Sequence, residues 1–201
     1  MTFFVGVAGG TASGKSTLCR ALADRLGEAC LHVIHDRYYH SLPEGMRPLD
    51  YNFDEPKALD TARLVRDLDT LRSGQPVDMP QYDFKAHRRH PEPERVAPRP
   101  VVVVDGILTL SDDRLRERFD LSVYVDTPDD IRLIRRLRRD MARRGRAAED
   151  VLVQYETTVR PMHERWVAPT RTRADLILDG TLAPQQLLLE LLAEIPGLTP
   201  P

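Results

Sequence analysis

The sequence has little cysteine. Cys19 and Cys30 are its two cysteines, and they fit neither a C-x-x-C motif nor a metal-ligand spacing. This pattern argues against a disulfide-stapled scaffold and against a zinc site. The expected compartment is therefore a reducing one, the cytoplasm.

Long apolar runs and a strong net charge are also missing. Because no hydrophobic run approaches the length of a membrane span and Met1 leads directly into a strand-like pattern, we expect a soluble chain with no membrane partner. The formal net charge is −2, so no overall field favours nucleic acid as a partner. A length of 201 residues fits one domain, 1–201.

Lysine is scarce, and one of only three lysines stands in the motif G-x-x-x-x-G-K-S, between a strand pattern and a helix pattern. Such a loop turns backbone amides toward phosphate oxygens, while its lysine neutralises phosphates and its serine binds Mg²⁺. A purely structural glycine turn is the weaker alternative. The predicted nucleotide-binding residues are Gly9, Gly10, Thr11, Ala12, Ser13, Gly14, Lys15, Ser16 and Thr17.

Short apolar runs alternate with helical periodicity, which predicts an α/β fold, a P-loop NTPase-type parallel sheet flanked by helices. The unbroken Val101–Val104 run suits a strand buried on both faces. The expected strands are 3–7, 31–34, 101–104, 121–125 and 176–178. The expected helices lie near 15–26, 61–72, 111–118, 129–144, 149–166 and 184–194, with Asp60 and Ser111 among the caps.

Residues 76–100 interrupt this alternation with six prolines, which predicts a small hairpin-like insertion. Tyr82, Phe84 and His87 lie within it. Two roles fit these side chains: anchoring the hairpin, which is the commoner role of aromatics, and stacking on a base.

Two carboxylates follow predicted strands. Asp105 follows Val101–Val104, where a Walker B ligand for Mg²⁺ belongs, with an ordinary turn residue as the alternative. Asp36 follows the second strand and should emerge at the same sheet edge as the phosphate loop. There it fits equally a base of ordinary pKa, near ~4, for a hydroxyl proton and a helix cap.

Arginine is concentrated between residues 132 and 146, and Arg132, Arg135, Arg136 and Arg139 share one helix face. Three interpretations are open: a mobile lid over phosphates at about 136–150, a solvated face, and a nucleic-acid patch. The phosphate loop upstream favours the lid.

The order of these motifs resembles the uridine kinase (uridine-cytidine kinase) family along nearly the whole chain. The resemblance rests on Gly-Gly-Thr-Ala-Ser-Gly-Lys-Ser at 9–16, His-Asp-Arg-Tyr-Tyr at 35–39, Tyr-Asn-Phe-Asp-Glu-Pro at 51–56, Met-Pro-Gln-Tyr-Asp-Phe at 79–84, Asp-Gly-Ile-Leu at 105–108, Val-Asp-Thr-Pro at 125–128, Arg-Arg-Leu-Arg-Arg-Asp at 135–140, Arg-Arg-Gly-Arg at 143–146, Gln-Tyr at 154–155 and Thr-Val-Arg-Pro-Met at 158–162.

The resemblance implies an ATP- and Mg²⁺-dependent kinase that phosphorylates the 5′-hydroxyl of uridine and cytidine in pyrimidine salvage. It implies Asp36 as the base, Lys15 and Arg139 as catalytic partners, and Arg139 and Arg144 as phosphate clamps. The implied substrate-binding residues are Asp36, Tyr39, Phe53, Asp54, Tyr82, Phe84, His87, Arg136, Arg146 and Gln154. The implied metal ligands are Ser16, Asp36 and Asp105. It further implies a homotetramer restrained by CTP and UTP.

Three positions depart from the family pattern. Asp105 stands where glutamate is usual, Glu55 stands where histidine is usual, and Leu178-Asp179-Gly180-Thr181 replaces Pro-Arg-Gly near the adenine side. The last change leaves ATP or GTP open as donor. Two alternatives compete with the leading interpretation: a phosphoribulokinase-like or pantothenate kinase-like enzyme, and a non-catalytic nucleotide- or RNA-binding regulator.

Overall fold

The computed structural model describes residues 2–198. Its strands, in chain order, are β1 (Phe3–Ala8), β2 (Cys30–Ile34), β3 (Val77–Met79), β4 (Tyr82–Asp83), β5 (Arg88–Arg89), β6 (Glu94–Val96), β7 (Val101–Asp105), β8 (Leu121–Asp126) and β9 (Leu176–Asp179). Five of them form a parallel sheet in the order β2-β7-β1-β8-β9. The predicted α/β parallel sheet is confirmed, and every expected strand belongs to it.

Helices cover both faces of this sheet. They are α1 (Lys15–Leu26), α2 (Thr61–Arg72), α3 (Asp113–Arg116), α4 (Asp129–Arg144), α5 (Ala148–Gln154), α6 (Arg160–Met162) and α7 (Pro184–Ala193). Because successive side chains of a strand point to opposite faces of the sheet, the apolar core has two parts, one on each face. Val101 and Val103 of β7 face α1 and α7, whereas Val102 and Val104 join the core on the α2 side.

Helix boundaries differ from the expectations at two places. Asp60 caps α2 as predicted, but Ser111 is not a cap. Ser111 instead donates its hydroxyl to the carbonyl of Leu108, and the carboxylate of Asp112 caps the single turn of α3. The helix expected at 149–166 contains two π-helical turns, Tyr155–Val159 and His163–Val167. Hydrophobic periodicity does not reveal such a change of helical pitch.

The proline-rich insertion is a two-step hairpin, as predicted. Strands β3 and β6 pair antiparallel at its base, and β4 and β5 pair at its tip. Arg89 ties the tip to the body of the protein, because its guanidinium donates to the carbonyls of Tyr38 and Tyr39 at 2.8 Å each. The tip is thereby held beside the residues that follow β2.

None of the helices between residues 2 and 198 is both long enough and apolar enough to span a bilayer.

Candidate functional site

The phosphate loop joins β1 to the first turn of α1. Gly9 and Gly14 have φ values of 144° and 108°, which favour glycine, and a Cβ on Gly9 would lie 2.6 Å from the carbonyl oxygen of Val125. Ala12 also has a left-handed backbone, with φ 59°. Helix α1 starts at Lys15, so its free amides and this largely buried ammonium lie at the predicted anion site.

A second layer of side chains supports the loop from behind. Thr127 donates its hydroxyl to the carbonyl of Ser13 at 2.9 Å. Arg132 is 2% exposed and packs its guanidinium on Gly10 while donating to the carbonyl of Thr127. Arg132 is therefore a structural residue of the loop, so the solvated-face interpretation is wrong for it.

Gly180 of the divergent Leu-Asp-Gly-Thr segment belongs to the same supporting layer. Its amide donates to the carbonyl of Asp126 at 2.7 Å, and a Cβ on it would lie 2.6 Å from the carbonyl oxygen of Ser13. Arg135 of α4 donates to the carbonyl of Gly180 at 2.8 Å. Only a residue without a side chain fits this approach, a role that the sequence pattern did not reveal.

Asp36 follows β2 in the 3₁₀ turn His35–Tyr38, at the carboxyl edge of the sheet. Its Oδ1 is buried and has no hydrogen-bond partner among the described residues. Burial raises the pKa of Asp36 to about 6; Lys15 opposes the rise, and Asp105 and Asp54 add to it. The expected ordinary pKa is therefore wrong, because the sequence does not show how deeply this carboxylate lies.

Asp54 lies near Asp36, as the resemblance implies. Burial raises the pKa of Asp54, while Arg136 and Lys15 lower it. Two carboxylates and one ammonium thus share a largely desolvated space at the mouth of the phosphate loop. Such a space favours a ligand that brings hydroxyl donors to the carboxylates and negative charge to Lys15.

Asp105 ends β7 beside the start of α1, and its side chain is 4% exposed. Burial acts to raise its pKa, but His32, Lys15 and Ser16 outweigh that effect and the pKa of Asp105 is lowered. Its Oδ1 has no partner within the described chain. An ionised carboxylate with a free oxygen beside a serine hydroxyl fits the oxygen ligands that Mg²⁺ prefers.

Aromatic rings form a wall beside this space, where Tyr39 lies near Asp36 and Asp54. Tyr39 lies 5.2 Å from Phe53 and 5.7 Å from Tyr82, while Phe53 lies 5.2 Å from His87, all measured between ring centroids. Phe84 lies 5.2 Å from Tyr82 and is half exposed. The predicted ring-bearing residues are thus brought together from three separate segments of the chain.

The sequence predictions missed two residues here: Tyr51, which belongs to the aromatic wall, and Arg89, which supports it. Tyr51 packs edge-on against Phe53 at 4.7 Å. Arg89 fixes the backbone of Tyr39, as described above. Tyr51 lies in the quoted Tyr-Asn-Phe-Asp motif, so proximity in sequence to Phe53 was the available signal. Nothing in the sequence indicates the role of Arg89.

The arginines of the predicted lid converge on one buried carboxylate. Asp140 is fully buried and lies within 4 Å of the guanidinium nitrogens of four arginines. Those arginines are Arg136, Arg139, Arg144 and Arg146. Burial acts to raise the pKa of Asp140, but Arg139 and the other arginines outweigh it and the pKa is lowered. Four positive charges against one negative charge leave an excess that suits a polyphosphate.

Arg136 and Gln154 connect the arginines around Asp140 to the phosphate loop. Arg136 donates to the hydroxyl of Thr11 in the phosphate loop at 3.0 Å and to Oε1 of Gln154 at 2.9 Å. Arg146 donates to the same oxygen at 2.6 Å. With its oxygen engaged in this way, the amide NH₂ of Gln154 is the group left to meet a ligand.

Comparisons of sequence place this architecture among known proteins. The model of the Phosphoribulokinase / Uridine kinase family matches residues 4–185. A uridine kinase of Chloroflexus aurantiacus (strain ATCC 29366 / DSM 635 / J-10-fl) is 48% identical over 181 residues, which is 88% of this chain and 86% of that protein. A uridine kinase of Halobacterium salinarum is 42% identical over 181 residues, 88% of this chain and 80% of that protein.

Comparisons of structure agree on the fold. A putative fructose transport system kinase from Silicibacter sp. TM1040 has a TM-score of 0.71 at 22% identity, covering 88% of this chain and 89% of that chain. Phosphoribulokinase from Rhodobacter spheroides has a TM-score of 0.65 at 13% identity, covering 91% of this chain and 73% of that chain. At these identities the likeness concerns the fold alone.

Proposed function

Because the chain belongs to the Phosphoribulokinase / Uridine kinase family, we infer that it is a uridine kinase, a phosphotransferase that moves the γ-phosphoryl group of ATP to the 5′-hydroxyl of uridine and cytidine. The observation that carries this inference is the position of Asp36 and Asp54, which lie close both to the ammonium of Lys15 and to Tyr39 of the aromatic cluster. A nucleoside carries its 5′-hydroxyl at one end, for Asp36, and a flat base at the other end, for the aromatic rings. The products are a nucleoside 5′-monophosphate and ADP.

Asp36 acts as the base in this proposal. Its carboxylate accepts the proton of the 5′-hydroxyl while that oxygen bonds to the γ-phosphorus, and the bond to the leaving ADP oxygen breaks. Lys15 and the arginines of the lid neutralise the charge that the transferred group and ADP carry. Excess positive charge at Asp140 supports this assignment of Arg139 and Arg144.

Substrate recognition uses polar groups for the ribose and the aromatic wall for the base. Asp54 accepts hydrogen bonds from the two ribose hydroxyls, and the NH₂ of Gln154 donates to one of them. Tyr39, Phe53 and Tyr82 pack on the pyrimidine, as their clustering supports. His87 donates to uracil O4 or, as the other tautomer, accepts from cytosine N4.

Mg²⁺ fits the free oxygen of Asp105 and the hydroxyl of Ser16, with Asp36 as a further ligand candidate. When bound, Mg²⁺ supplies charge neutralisation at the phosphate oxygens. Because aspartate is one methylene shorter than the family's glutamate, we propose that Asp105 reaches the ion through a water molecule.

The proposal also covers the compartment, the number of subunits, the phosphate donor and feedback inhibition. By family resemblance we propose a cytoplasmic homotetramer that prefers ATP, with GTP as a second donor, and that CTP and UTP inhibit. Light scattering would give the number of subunits. Initial rates with each donor, and with each triphosphate added as inhibitor, would give donor choice and feedback.

A coupled assay of ADP release tests the activity. MgATP is combined in parallel with uridine, cytidine, ribulose 5-phosphate, pantothenate or no acceptor, and we expect turnover with uridine and cytidine alone. Turnover with ribulose 5-phosphate or pantothenate instead would reassign the acceptor within the family. No nucleoside diphosphate release with any acceptor, whether MgATP or MgGTP is the donor, would contradict the proposed activity.

A further inference from the structure

Three metal-binding side chains meet beneath the phosphate loop. Cys19 of α1, His32 of β2 and Asp105 at the end of β7 place a sulfur, a ring nitrogen and a carboxylate oxygen within 4.8 Å of one another. All three lie on the face of the sheet that α1 covers, where Val103 also points. Cys19 lies one helical turn beyond Ser16, so this cluster adjoins the position proposed for Mg²⁺.

Two polar atoms of the cluster lack hydrogen-bond partners within the described residues. His32 Nε2 and Asp105 Oδ1 are buried without a hydrogen-bond partner among residues 2–198. His32 Nε2 lies 3.6 Å from Asp105 Oδ2, too far for an ordinary hydrogen bond. Two ligands at about 2.0 Å from one tetrahedral ion lie roughly 3.3 Å apart, so the observed spacing requires only a small contraction.

We propose that Cys19, His32 and Asp105 form a binding site for Zn²⁺ or a similar thiophilic divalent cation, a site that the cysteine spacing in the sequence argued against. A thiolate and an imidazole favour such an ion over Mg²⁺, which prefers oxygen ligands. Coordination forms a metal–sulfur bond and releases the Cys19 proton to solvent. Water completes the tetrahedron. The His32 side chain is 16% exposed, so it is the ligand nearest to solvent.

Occupancy of this site has a consequence for the kinase reaction. A zinc ion bound to Asp105 competes with Mg²⁺ for this carboxylate and adds positive charge beside the Mg²⁺ position. Zinc should therefore inhibit turnover even when Mg²⁺ is in large excess. This consequence rests on the proposed function, whereas binding of the metal does not.

Cobalt(II) titration of the whole protein tests the site directly. We expect one equivalent of Co²⁺ to produce thiolate-to-cobalt charge transfer in the near ultraviolet and the intense visible bands of tetrahedral cobalt, both abolished by added Zn²⁺. Cys19→Ala should lose the charge-transfer band, and His32→Gln should lose the tetrahedral bands. Cys30→Ala is the matched control, because Cys30 lies in the same strand as His32 but outside the cluster.

Two results would overturn the proposal: no charge-transfer band in the unmodified protein, or a band that Cys19→Ala retains and Cys30→Ala abolishes. If Cys19→Ala does not fold, as judged by circular dichroism, Cys19→Val and His32→Gln give the same test. In kinase assays, half-inhibition by Zn²⁺ should need at least tenfold more metal in His32→Gln. A cobalt signal in a protein without kinase activity would support the site while contradicting the proposed function.

Discussion

The carboxylate of Asp36 lies at the carboxyl edge of the sheet, and its Oδ1 is buried without a hydrogen-bond partner in the described chain. Replacing it by asparagine keeps its shape and removes its ability to accept a proton. We expect Asp36→Asn to lower kcat by roughly 10²- to 10⁴-fold, the range typical of a lost general base, while ATP binding persists. Steady-state rates and nucleotide titration measure the two effects.

Asp24→Asn, an exposed change on α1, serves as the control for Asp36→Asn and should leave both quantities unaltered. Asp36→Asn that keeps most of its turnover would remove Asp36 from the role of base.

The backbone conformation of His87 limits which substitutions can be made there. Its φ is 52°, a left-handed value that asparagine tolerates better than most residues. We expect His87→Phe to lower kcat/KM for both nucleosides and to change the uridine-to-cytidine ratio, because the polar contact to the base is lost. His87→Asn keeps a donor and an acceptor and should restore part of the loss. An unaltered ratio and rate in His87→Phe would contradict base recognition by His87.

At the scale of elements, the four arginines of the proposed lid converge on Asp140. Removing the charge of Asp140 leaves Arg136, Arg139, Arg144 and Arg146 to repel one another around a neutral amide. We expect Asp140→Asn to raise KM for ATP and lower kcat, together about tenfold or more in kcat/KM, and to reduce thermal stability.

Asp130→Asn on the same helix is the matched control, because Asp130 is exposed. A lower melting temperature with unchanged kinetics would mean that Asp140 supports the helix only.

Periodicity and capping rules predict most of the elements. The five strands and helices α1, α2 and α4 follow from local patterns, since a buried parallel strand and an amphipathic helix each leave a regular trace in sequence. The helix expected near 111–118 is present as the short α3, but its exact start and the π-helical turns leave no such trace. Their boundaries depend on which carboxylate caps the turn, as at Asp112, and on tertiary packing.

The site was predictable where a motif or the family resemblance marks it. Lys15, Asp36 and Asp54, which the motif and the resemblance single out, lie close to one another, and the roles given to them stay predictions. Contacts between distant segments were not predictable: the positioning of Tyr39 by Arg89, the convergence on Asp140 and the approach of Cys19 to His32. Each depends on packing that brings together residues without a shared local pattern.

At the scale of the whole molecule, buried histidines make folding sensitive to acid. Burial and Arg132 lower the pKa of His163 from 6.5 to about 4, with Asp129, Glu164 and Asp126 as the opposing neighbours. The unfolded chain therefore binds more protons between these two pH values, and the free energy of unfolding falls as the pH is lowered through them. Urea denaturation at pH 7 and pH 5 measures the fall.

Between pH 7 and pH 5, we expect the free energy of unfolding of His163→Gln to fall by about 1 kcal/mol less than that of the unmodified protein. This figure allows for the partial exposure of the ring. His90→Gln, at an exposed histidine, is the control and should follow the unmodified protein. An equal loss in all three proteins would show that His163 does not contribute to the acid sensitivity.

The parallel sheet also gives the molecule two unlike ends. The phosphate loop, Asp36 and Asp105 all follow the carboxyl ends of strands, whereas the turns at Glu28 and Arg99 precede β2 and β7. Strands of five or six residues separate the ends by roughly 17–20 Å. A fluorescent dye or a surface tether attached at Glu28 or Arg99 would therefore sit clear of the nucleoside and its donor, which allows binding to be followed on an immobilised protein without obstructing it.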